Sequence, residues 1–306
     1  MNQHHLTRAE GSEPEDFHLS RRGVAVAMFA GYTLAAGPIR AETITTDTKG
    51  LCACAITIPS HGFNLPGYIA MPEDAQHAPV VVVVSEVFGL HEYIRDVCRR
   101  LAHQGYVAIA PDFFARAGNP ATLTMEQFDQ IRKIVATAND KQVMGDINAA
   151  LDYIATKPKL GQKHPDFADM KRIGVTGFCW GGGVTWMAMI EVPRIKTGVA
   201  WYGQLRAPAK PSGEDRKYPL DEPEKVHGPV LGLYAGLDKG FTPADVDAMR
   251  AALKEKGVGL AKQSELIEYP DAQHGFHADY RQSYNEKDAK DGWARLLAWF
   301  DKYLRH

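Results

Sequence analysis

The chain has 306 residues, 45% hydrophobic and 24% charged, with a formal net charge of −2. That balance describes ordinary globular chemistry with enough chain for one sizeable core, and it lacks the basic excess that nucleic-acid binding requires. Past the N-terminal region, no window approaches the roughly 18 uncharged apolar residues of a membrane span.

A polar opening stretch leads to Arg21-Arg22, and residues 23–37 then form a moderately apolar run rich in Ala and Gly. A twin arginine at the edge of such a run is the pattern of a bacterial twin-arginine export signal. The mature protein is therefore expected in the periplasm or otherwise exported, or in the cytoplasm if the signal goes unused. Small residues at Ala35, Ala36, Gly37 and Ala41 offer cleavage positions. The expected division is a signal segment over 1–41 and a single α/β domain over 42–306.

Residues 51–59 and 63–71 predict a β-hairpin turning at Ser60-His61-Gly62. Cys52 and Cys54 share one side of its first strand and Cys98 falls in a helix. All three read as small buried residues, because no His/Cys cluster completes a zinc site and four cysteines make no disulfide framework. Val80 to Val84 is a continuous β-branched run, the mark of a strand buried on both faces. A helix is predicted over 92–103, ended by Gly105, then a strand over 106–110 and helices over 124–138 and 140–154. An apolar run from Ile173 to Thr176 predicts the next strand, and residues 184–190 the helix behind it. Strands follow over 198–202, 230–234 and 264–269, with a helix over 243–256 before the last. The chain closes with a helix over 287–304, whose Trp293, Leu296, Leu297, Phe300 and Leu304 share one stripe. Strands separated by helices predict a mostly parallel central sheet with helices on both faces. Residues 207–226, rich in proline and charge, read as a surface loop.

The chemistry concentrates at Gly177-Phe178-Cys179-Trp180-Gly181-Gly182, between a predicted strand and a predicted helix. This is the context of a nucleophile elbow, with cysteine in place of serine. Its glycines would spare the sharp turn a steric collision, and the sulfur would lie over a helix N-terminus that favours a thiolate. The partners of such a nucleophile follow in the order acid, then histidine. Asp238 ends a glycine turn after one strand, and His274 sits in a loop just past the next. Asp271, close to His274, is a second candidate acid that lacks the strand-end context. Glu86 follows the valine run and would leave the sheet at the same edge as the elbow, where such folds place their ligands. The backbone N–H groups of Val87 and Trp180 are the natural oxyanion pair.

The chain from about Ala55 to Leu304 resembles the dienelactone hydrolase family, single-domain α/β-hydrolases with a Cys-His-Asp triad. The matching strings are Ser85 to Gly89, Ala110 to Arg116, Gly177 to Gly182, Gly236-Leu237-Asp238 and His274-Gly275-Phe276. The resemblance implies a nucleophile at Cys179, an acid at Asp238 and a general base at His274. It further implies that Glu86 pairs with the resting thiol and helps to activate it. The best-known members hold the substrate carboxylate with arginines, whose aligned positions here are Ala278 and Phe128, with Arg281 and Arg132 nearby. Tyr202, His277, Arg281 and Arg132 are the candidate substrate-binding residues.

The expected reaction is hydrolysis of a small lactone or carboxylic ester through a cysteinyl thioester, by a monomer or homodimer. No cofactor and no metal are expected, since the histidines show no ligand spacing. Two other classes share some of these features. A thiol glutaminase or amidotransferase would need an acid two residues after the histidine, where this chain has Phe276; an exported small-molecule-binding protein would have no use for a full set of reactive residues.

Overall fold

The structure, a computed structural model, describes residues 44–207, 217–240 and 243–305. Arg21-Arg22 and the middle of the proline-rich loop lie outside the described residues. Eight strands form one sheet: β1 (Leu51–Ser60), β2 (Phe63–Pro72), β3 (Ala78–Val84), β4 (Val107–Pro111), β5 (Ala168–Phe178), β6 (Thr197–Trp201), β7 (Val230–Ala235) and β8 (Glu265–Tyr269). Among the described residues, six α-helices accompany them: α1 (Glu92–His103), α2 (Phe128–Val135), α3 (Asp140–Ala155), α4 (Trp180–Glu191), α5 (Pro243–Lys256) and α6 (Glu286–Leu304).

The strand order is β1-β2-β4-β3-β5-β6-β7-β8, antiparallel across β1/β2 and β2/β4 and parallel elsewhere. The chain runs from β3 out to β4 on one side, then returns to place β5 on the other. Ligand sites of open parallel sheets form outside the carboxyl ends of strands at such a reversal. Here Val84 pairs with Gly177, so Glu86 and Cys179, each two residues further on, leave the sheet side by side.

Every residue of β3 is buried, which explains its unbroken valine run. Each such valine contributes about 1.5–3 kcal/mol relative to an exposed one. Helices cover both faces. On β5, Gly174 faces Phe300 and Leu304 of α6, whereas Gly177, three residues on and so on the opposite side, faces Gly181 and Thr185 of α4. The α6 stripe thus faces the core, with Leu296, Phe300 and Leu304 fully buried and Trp293 and Leu297 half-buried at its margin.

The helix expected over 124–138 is shorter and interrupted. A 3₁₀ turn over Met125–Gln127 precedes α2, which ends at Val135. The Gln127 side chain accepts from the Thr124 N–H at 3.1 Å, half of a capping box, so the regular helix begins only after that turn. Asn139 then starts α3, its side chain accepting from the Gln142 N–H at 2.9 Å. Cys52 and Cys98 are buried as expected, whereas Cys54 is only partly so; all three are free thiols, and burial pushes the pKa of each upward. Among the described residues, no helix is long and apolar enough to cross a membrane.

Candidate active site

Cys179 caps α4 with φ 59° and ψ −116°, a conformation that a non-glycine residue adopts only under compulsion from its surroundings. Two close approaches supply the compulsion. A Cβ on Gly177 would lie 2.2 Å from the Gly181 carbonyl oxygen, and one on Gly181 would lie 2.5 Å from the carbonyl oxygens of Val84 and Ser85. The first turn of α4 therefore sits directly on the end of β3. The Cys179 N–H donates to the Trp201 carbonyl at 3.0 Å, tying the elbow to β6. Its side chain is buried at the N-terminus of α4, where the helix dipole favours negative charge.

His274 stands in the loop after β8. Its Nδ1 lies 2.6 Å from Asp238 Oδ2, and both side chains are buried. Asp238 follows β7, and its other oxygen accepts from the Gly240 N–H at 2.8 Å. Asp271 is exposed and takes no part in this link. Burial alone would strip a proton from the His274 ring. The Asp238 carboxylate and the Cys179 sulfur on its other side overcome that and raise the imidazole to about 10.

Val87 and Trp180, the expected oxyanion donors, are both buried at this edge. The Val87 N–H forms no hydrogen bond among the described residues, and Trp180 is the first residue of α4, where the backbone N–H points out of the helix. The indole of Trp180 packs on Phe114, with ring centroids 4.9 Å apart, which holds the first turn in place.

Glu86 is fully buried, and its surroundings differ from the expectation of a thiol partner. No hydrogen bond joins it to Cys179 among the described residues. The Tyr280 hydroxyl donates to Oε2 in a short hydrogen bond, and Arg281 Nη2 lies 3.0 Å from Oε1. Arg281 also donates from Nε to the Tyr280 oxygen at 3.3 Å and lies over the Phe88 ring at 5.1 Å. His91 sits edge-on to Tyr280, with centroids 4.9 Å apart. Burial pushes its imidazole down to about 4 against the pull of Glu86.

The candidate substrate residues divide. The Tyr202 ring lies 5.1 Å from that of His274, and its buried hydroxyl has no hydrogen-bond partner among the described residues. Arg281 reaches the site but meets Glu86. His277 belongs to the core instead. It accepts or shares a proton with the Tyr93 hydroxyl at 2.6 Å and stacks on Phe178 at 5.2 Å, with its affinity for a proton sharply lowered by burial. Arg132 lies on the outer side of α2, where it pairs with Asp129 one turn away. Phe276 is buried against Tyr269, which leaves no acid two residues after the histidine.

Sequence reasoning missed Tyr280, Tyr93 and His91. The signal available for Tyr280 was its place next to Arg281 in the loop that carries His274, but nothing local marks its hydroxyl for Glu86, 194 positions earlier.

The sequence profile of the dienelactone hydrolase family matches residues 65–304. A protein of Methylorubrum extorquens, provisionally named carboxymethylenebutenolidase, is 43% identical over 287 residues, spanning 93% of this chain and 94% of its own. A likewise provisionally named relative of Escherichia coli K12 is 39% identical over 92% of this chain and 98% of its own. The crystal structure of a provisionally assigned dienelactone hydrolase from Klebsiella pneumoniae is 40% identical. It superposes with a TM-score of 0.73 over 83% of this chain and 99% of that one. An eight-stranded, mostly parallel sheet with helices on both faces, together with these matches, is the α/β-hydrolase fold. The chain belongs to the dienelactone hydrolase family and is an enzyme of its lactone- and ester-hydrolysing kind.

Proposed function

We propose that the protein hydrolyses a small lactone or carboxylic ester through a thioester on Cys179. The reading rests on one observation above all: a strained, buried cysteine at a helix N-terminus faces an imidazole whose far nitrogen is held by Asp238. The names of the relatives point to a butenolide-type substrate.

The Cys179 thiolate attacks the carbonyl carbon, a C–S bond forms, and the carbonyl electron pair moves onto oxygen. The N–H groups of Val87 and Trp180 hold that oxyanion. Collapse expels the alkoxide or enolate, which takes its proton from His274. Water then gives a proton to the neutral imidazole and attacks the thioester carbon. The C–S bond breaks, sulfur leaves as thiolate, and His274 is again protonated. Asp238 keeps the ring in one tautomer and orientation throughout. The position that a glutaminase of this type fills with an acid is the buried Phe276, which favours the ester reading.

The test is a panel of lactones, enol esters and aryl esters with wild type, Cys179→Ala and Cys179→Ser. Wild type should show a burst with an activated aryl ester and an acyl adduct on the Cys179 peptide in acid-quenched samples. Turnover that survives Cys179→Ala, or an adduct on another residue, overturns the thioester route.

A further inference from the structure

Away from the active site, three sulfur-bearing side chains share one face of the β1–β2 hairpin. Residues that oppose one another in an antiparallel pair point to the same side of the sheet. The packing agrees: Gly67 opposes Ile56, and a Cβ on Gly67 would lie 3.3 Å from Ile56 Cγ1. Cys54 and Cys52, two and four residues before Ile56, therefore share that face, and Met71 stands directly opposite Cys52. Met71 is fully buried, Cys52 nearly so, and Cys54 is part-exposed, so solvent reaches the group through Cys54. Gly161 passes beside Cys52 with φ +94°, and a Cβ there would lie 3.6 Å from the Cys52 Sγ, so the loop over this thiol brings no side chain to it. Because β1 runs antiparallel to β2, and β2 to β4, Cys52 at the start of β1 lies at the sheet edge opposite Cys179.

We propose that Cys52, Cys54 and Met71 form a binding site for a soft monovalent metal ion, Cu(I), separate from the hydrolytic centre. Thiolate and thioether sulfur are the donors that such an ion selects. Zinc is poorly served by this set. It takes four ligands from cysteine, histidine and carboxylates, and among the described residues no three of those gather. A Cys52–Cys54 disulfide is poorly served too. Two residues along a strand span roughly 6.4–6.8 Å, the far limit of the Cα separation that a disulfide tolerates. An ion between the two sulfurs relaxes that demand. The long, unbranched Met71 side chain can reach it from the facing strand, where opposed Cβ atoms lie about 4.5–5.5 Å apart. On binding, two S–H bonds break and two Cu–S bonds form, the two protons pass to solvent, and copper stays Cu(I) while the thioether adds a lone pair. The filled site carries one net negative charge. Lys163, whose Nζ lies 2.6 Å from Glu73 Oε1, sets a positive charge near Cys52 that Glu73 opposes, and Tyr153 of α3 is the titratable neighbour of Cys54.

The experiment titrates anaerobic Cys179→Ser protein with Cu(I) in competition with a chromophoric cuprous chelator. This background removes the elbow sulfur, and Cys98 is fully buried in α1. One ion per chain should be retained, with only sulfur in its shell by X-ray absorption. Adding Cys52→Ser or Cys54→Ser should weaken retention by more than the roughly 10–100-fold that losing a mere orienting neighbour costs a metal site. Adding Met71→Leu, which keeps the volume of the core, should lower affinity about tenfold and reduce the shell from three sulfurs to two. Should a serine variant fail to fold, alkylation supplies the reading: one equivalent of Cu(I) should shield Cys54 of Cys179→Ser from iodoacetamide. Copper surrendered to the chelator, retained equally without Cys52 and Cys54, or bound through nitrogen or oxygen overturns the proposal. So does a Cys54 that alkylates at the same rate with and without the ion.

Discussion

His274 Nδ1 and Asp238 Oδ2 lie 2.6 Å apart across 36 positions of sequence, while Asp271, three residues from His274, is exposed. The loops after β7 and β8 converge because their strands are parallel neighbours, paired from Leu231↔Glu265 to Ala235↔Tyr269. Sheet register, rather than nearness in the chain, selects which carboxylate meets the imidazole.

Replacing that acid therefore has a defined consequence. Asp238→Asn leaves the ring packed but offers an amide N–H where the imidazole needs an acceptor, favouring the wrong tautomer. The kcat for an aryl ester should fall by roughly 10⁴-fold with the fold retained, as for other orienting aspartates. Asp271→Asn should leave kcat within about twofold, the behaviour of an exposed surface site. The two kcat values, compared on variants of matched circular dichroism, check the assignment.

The same pair sets an alkaline limit. The His274 imidazole is raised from an ordinary 6.5 to about 10 in the folded protein. A raised value means that folding stabilises the protonated form. That stability is fully present below about 6.5 and is lost as pH rises through about 10. The Tm of wild type should fall over that alkaline window, and Asp238→Asn should flatten the decline. Thermal unfolding of both proteins across the window measures it.

At the elbow, space is limiting. Gly177→Ala would put a Cβ 2.2 Å from the Gly181 carbonyl, a backbone atom with no rotamer by which to move away. The cost should reach or exceed the roughly 1–3 kcal/mol of an overpacked core site. Ester turnover should be lost with it, since relief would tilt Cys179 off the helix axis. Gly62→Ala meets no atom within 4 Å but sits at φ +78°, so its milder strain serves as the control. Urea midpoints of the two variants should separate clearly.

For the N-terminal segment, export through the twin-arginine route predicts that Arg21→Lys/Arg22→Lys retains the protein in the cytoplasm, while wild type reaches the periplasm folded. Cell fractionation with an ester assay on each fraction reads the outcome. Equal distribution of the two proteins would dismiss the signal.

Much of this was legible in the residues. The valine run of β3, the glycines around Cys179 and the order Cys179, Asp238, His274 each carry their meaning locally, through burial period, turn sterics and strand-end position. Helix α2 was overextended because Thr124 and Gln127 cap a 3₁₀ turn that the apolar spacing does not register. His277 and Arg281 stand four residues apart in one loop, yet one is walled into the aromatic core against Phe178 and the other reaches Glu86. No local pattern separates them.

By itself, the chain of residues determined the sharp turn that presents Cys179 and the order in which Asp238 and His274 follow it, since the turn depends on backbone sterics within a few positions. The folded arrangement alone decided which charges meet. Glu86 and Tyr280 stand 194 positions apart and are joined because β3 and the loop after β8 end on the same edge of one sheet. Partner choice among buried charges follows from that convergence, because a buried charge must be answered by whichever group the packing brings to it.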